Sequence, residues 1–131
     1  MPSLTEEQAK AYITKLLTAM SKAGGSDLFV SKDFPPAMKL QGVLQPMTNQ
    51  KLTGEVTREL ADSLMNERQR EDFARDLECN FAISLPGVAR FRVNVFVQQQ
   101  HVGMVVYYLI ADAAESPNVT STTRPWVELI I

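Results

Sequence analysis

At 131 residues the chain has room for one domain with its own core and a short extension. Its 45% hydrophobic and 21% charged content is that of an ordinary globular protein, and a net charge of −2 leaves no basic footprint for nucleic acid. The single cysteine, Cys79, cannot form an internal disulfide, and one cysteine with one histidine makes a poor zinc site. The N-terminus Met1–Glu7 lacks the basic and apolar segments of a secretory signal, and no apolar run approaches the roughly 18 residues of a membrane span. The expectation is a cytoplasmic protein with no nucleic-acid partner and no direct membrane insertion.

Thr5-Glu6-Glu7-Gln8 is a capping-box pattern, in which a hydroxyl and an amide three residues apart satisfy each other's backbone N–H. Ala9, Tyr12, Ile13, Leu16, Leu17 and Met20 follow at helical spacing, and Gly24-Gly25 predicts the stop. Asp27–Ser31 reads as a short strand, broken by Phe34-Pro35-Pro36. Ala37–Leu40 and Val43–Pro46 read as a hairpin around Gln41-Gly42. A helix is expected over Thr53–Met65, with Val56, Leu60 and Leu64 on one face. A second capping pattern, Asn66-Glu67-Arg68-Gln69, opens another helix that leads to Phe73 and Leu77.

The clearest β signal comes next. Cys79, Phe81 and Ile83 alternate with Asn80, Ala82 and Ser84, and Leu85-Pro86-Gly87 supplies a turn. Phe91, Val93, Val95 and Val97 then alternate with Arg90, Arg92, Asn94 and Phe96, and Val102–Ile110 makes a third strand. The order predicts an α+β domain whose mostly antiparallel sheet carries helices on one face. Composition changes at Ala111–Asn118, which reads as a linker before the apolar Trp126–Ile131.

Chemistry is sparse. The chain contains no G-x-x-x-x-G-K-[ST] loop to cradle phosphates, and Gly24-Gly25-Ser26 reads as a helix stop. His101, among glutamines, is expected to be a solvated loop residue without a role. Asp72, Arg75, Asp76 and Glu78 read as a wet helix face, and Cys79 as a core or edge residue. Arg90 and Arg92 stand out. Two residues apart on a strand, they project from one face opposite Phe91 and Val93, and adjacent guanidinium forks suit phosphate oxygens. Spacing alone is more simply that of the solvated side of a half-buried sheet.

Several segments taken together resemble one family. Gly24-Gly25-Ser26-Asp27-Leu28-Phe29-Val30 is similar to the "GGSDL-hydrophobic" signature of the type IV pilus retraction and twitching-motility ATPases, the PilT and PilU proteins. Pro35–Gly42 resembles their "PP" strand and turn, and Met65–Phe73 their "MN-x-x-Q-x-x-x-F" helix start. Glu78–Ser84, Gly87–Phe96 and Val102–Val106 resemble their successive strands, with the "ECNFAIS" wording leaning toward PilU. The resemblance runs from the first helix to about Ile110.

It implies a PAS-like N-terminal domain over residues 1–110, of the kind that precedes a RecA-like ATPase domain in a hexameric motor. Residues 111–131 would then be a divergent linker or tail, with the ATPase domain absent and no ATP hydrolysis by this chain alone. The resemblance further implies that Arg90 and Arg92 contact nucleotide in trans, at a neighbouring subunit's site. ATP and Mg belong to the intact family motor, and no cofactor or metal is expected on this chain alone. The implied partners are the ATPase domains of neighbouring subunits and the pilus inner-membrane machinery, with the protein peripheral to that membrane. Tyr107-Tyr108 depart from the basic residues the family carries after its "GMV" strand. A stand-alone interaction module that modulates a full-length motor, and a PAS-like small-ligand sensor, are the alternative readings.

Overall fold

Helix ends are where the sequence speaks most directly. The computed structural model describes residues 1–112, and in it α1 (Glu6–Ala23) opens on a complete capping box between Thr5 and Gln8. The same helix closes on Gly24, which takes the left-handed conformation at φ +84° and donates its N–H to the last turn. Ala9, Ile13, Leu16, Leu17 and Met20 are its buried stripe. The strands β1 (Asp27–Val30), β2 (Ala37–Leu40) and β3 (Val43–Pro46) follow as an antiparallel meander. Between β2 and β3, Gln41 and Gly42 both have positive φ, the geometry of a two-residue turn whose twist matches that of the strands.

Helices α2 (Gly54–Leu64) and α3 (Glu67–Asp76) come next, capped by Thr53 and by a second complete box between Asn66 and Gln69. Strands β4 (Glu78–Leu85), β5 (Ala89–Gln98) and β6 (His101–Ala111) complete the described chain. The six strands form one sheet in the order β3-β2-β1-β6-β5-β4, with every neighbouring pair antiparallel. The two edges are thus β3 and β4, which are consecutive strands in the chain. Whatever joins them must cross the full width of the sheet, and α2 and α3 do so over one face. There α1 packs on α2, α2 on β6 and α3 on β4.

The core lies between these helices and the inner sheet face. Leu28, Val30, Phe91, Val93, Val95 and Val106 from the sheet meet Ile13, Leu17, Met20, Val56 and Leu60 from the helices, all without solvent exposure. Inner-face packing of this density stabilises through area removed from water, about 25 cal/mol per Å² of apolar surface. The expected α+β architecture, with an antiparallel sheet and helices on one face, is what the structure shows.

Two details differ from expectation. Leu77 does not continue the apolar stripe of α3: it is the left-handed C-cap at φ +60° and is 56% exposed, because the helix must end there for β4 to start at Glu78. The strand expected to end at Ile110 continues through Ala111, which pairs with Ala89. Asp112 is also tied down. Its carboxylate accepts the Gly87 N–H at 2.8 Å, and its own N–H donates to the Val88 carbonyl at 3.3 Å. The remainder of the expected linker, and the Trp126–Ile131 segment, lie outside the described residues.

Candidate functional site

Because side chains alternate along a strand, covering one face of the sheet leaves the other to be read directly from register. On β5, Ala89, Phe91, Val93 and Val95 are buried inward, while Arg90 and Arg92 are exposed on the opposite face, followed along it by Asn94 and Phe96. Pairing extends this face across the sheet. Ala82, Arg92, Tyr107, Asp27, Lys39 and Leu44 form one row through all six strands. Arg90 lies between Ser84 and Ile110 in the next row, and Asn94 between Asn80 and Val105 on the other side. None of the three helices covers this open face.

Arg90 and Arg92 are therefore neighbours, their Cα atoms about 6.6 Å apart at the usual strand rise. Among the described residues, ion pairs form on Arg58, Arg70 and Arg75, and no carboxylate pairs with either Arg90 or Arg92. A register shift beside them shapes the surface. Arg90 faces Ile110 but Phe91 faces Tyr108, so Leu109 is the extra residue of a bulge in β6. Alternation from Met104 and Val106 places Tyr108 inward, edge-on to Phe91 with ring centroids 6.0 Å apart, and Tyr107 outward beside Arg92, while the shift brings Ile110 outward beside Arg90. The face is thus cationic with apolar flanks.

Asn94 carries a signal that spacing could not reveal. Its side-chain Oδ1 is out of reach of solvent and has no hydrogen-bond partner among the described residues. A buried carbonyl without a donor typically costs about 1–3 kcal/mol. Gly103 is a second such feature. Phe96 lies across it so closely that a Cβ there would stand 2.8 Å from the ring, with the Val30 carbonyl oxygen at 3.4 Å.

The other residues singled out from the sequence lie elsewhere. His101 is not a solvated loop residue: it begins β6, is half-buried, and its Nε2 lies 3.2 Å from the Lys32 Nζ. Its ring also packs on the start of α2, where a Cβ at Gly54 would be 2.5 Å from Nδ1. The turn at Gln99-Gln100, tight because both residues have positive φ, brings the histidine back into the sheet. This places it at the opposite end of β5 from Arg90. A polar surface cleft of about 530 Å³ lies beside it, lined by Lys32, Asp33, Phe34 and Gln98 among others.

Gly24 acts as the helix cap, as its spacing predicts. The charged end of α3 is solvated, with Arg75 3.0 Å from both Asp72 and Asp76. Cys79 points inward on β4 and is half-buried. Burial pushes its thiol pKa up, and the nearby charges of Asp72 and Asp76 add to the shift.

No described helix is long and apolar enough to cross a membrane. No family model matches the sequence. Individual proteins do. The chain is 52% identical over 92 residues to the type IV pilus ATPase PilU of Pseudomonas aeruginosa, covering 70% of this chain and 24% of that protein. It is 40% identical over 93 residues to the type IV pilus retraction ATPase PilT of the same organism, covering 71% of this chain and 27% of that one. Among solved structures, the pilus retraction motor PilT with bound ADP superposes with a TM-score of 0.66 at 27% identity. That match covers 74% of this chain and 28% of the motor. The chain spans about a quarter of the length of the curated relatives it matches. With this level of identity over about 70% of its length, and a fold that superposes on that of the PilT motor, the chain belongs to the type IV pilus retraction ATPase family and corresponds to the N-terminal part of its members.

Proposed function

We propose that this domain is the intersubunit packing and coupling element of a PilU/PilT-type pilus retraction motor. Its open sheet face docks on the ATPase domain of a neighbouring subunit and points Arg90 and Arg92 toward nucleotide bound there. The observation that carries this reading is the pair of adjacent, exposed guanidinium groups without carboxylate partners, on the one sheet face that the helices leave free. Arg75, by contrast, is held by Asp72 and Asp76. Two arginines left unpaired side by side are suited to an anion that arrives from outside.

The family supplies the anion. The PilT relative is a motor with bound ADP, and guanidinium groups reaching in trans stabilise the charge that develops on a transferring phosphoryl group. Cationic side chains offer nothing to a magnesium ion, which would be held with the nucleotide on the other domain. Within this reading the chain alone turns over no ATP and acts in the cytoplasm at the pilus base.

The test is a binding titration of the chain against full-length PilU of Pseudomonas aeruginosa, with and without ADP. The expected result is association that tightens when nucleotide is present and loses that dependence in the Arg90→Ala/Arg92→Ala variant. Nucleotide-dependent binding that persists in the double variant would move the function off this face. ATP turnover that tracks with the purified chain would contradict the reading.

A further inference from the structure

We draw no further inference here: the strongest candidate, the polar surface cleft where Lys32 meets His101 at the β5–β6 turn, carries nothing, because the Asp33 carboxylate lines it beside the Lys32 ammonium and nothing in the structure shows what fills it.

Discussion

Phe96 and Gly103 face each other across β5 and β6, with so little space between them that residue 103 has room for hydrogen alone. The contact sits on the open face and holds the aromatic ring flat on its neighbour strand, as glycine–aromatic pairs do in antiparallel sheets. Gly103→Ala should lower stability by about 1–3 kcal/mol, read from urea denaturation, through overpacking against the Phe96 ring. Phe96→Leu in the same chain should recover part of the loss, because a flexible side chain can yield where a ring cannot.

Leu77 supports the opposite prediction. A leucine at φ +60° is strained, and with its side chain 56% exposed it gives up little contact on removal. Leu77→Gly should raise stability by about 0.5–1 kcal/mol, the relief of left-handed strain exceeding the entropy that glycine adds to the unfolded chain. Leu77→Ala keeps the strain and should not gain.

These two residues show where sequence patterns were legible and where they were not. Both capping boxes, the Gln41-Gly42 turn and the alternation of β4 and β5 depend on residues close in the chain, and all three appear where the patterns placed them. The exposure of Leu77 depends on where β4 must start, which is a property of the sheet. The insertion of β6 beside β1, pairing Leu28 with Val106, joins residues far apart in sequence and has no local signature. His101 was misplaced for a related reason, since nothing local says that the Gln99-Gln100 turn returns it against Gly54. For the site, period-two spacing sufficed to put Arg90 and Arg92 on one face. That the face is uncovered, and that Asn94 is unsatisfied upon it, follow only from the packing.

Cys79 should react slowly with thiol reagents. Burial is the main cause, and Asp72 and Asp76 add negative charge that further disfavours the thiolate, the reactive species. Alkylation by iodoacetamide near pH 8 is expected to be slower than for a free thiol and to rise with pH beyond the range where free cysteine has levelled off. Asp72→Asn/Asp76→Asn should accelerate it, because removing the negative charges lowers the thiol pKa. Equal rates for the two proteins would assign the whole shift to burial.

Arg90 and Arg92 should be nearly silent in stability. Exposed and without ion-pair partners among the described residues, each should change unfolding free energy by no more than about 0.5 kcal/mol when replaced by alanine. Val93→Ala, between Arg92 and Asn94 on the same strand but facing the core, should cost about 1–3 kcal/mol. The contrast separates the function of the strand's outer face from the structure of its inner one.

The claim that the open face is the working surface is tested most directly by mapping contacts residue by residue. In ¹⁵N-labelled chain titrated with full-length PilU and ADP, at concentrations on the order of tens of micromolar, the amides of Arg90, Arg92, Asn94 and Tyr107 should shift or broaden first. Those of Lys10, Lys15 and Arg58 on the helices should remain in place. Perturbation centred on the helices, with the β5 and β6 amides unmoved, would contradict the account.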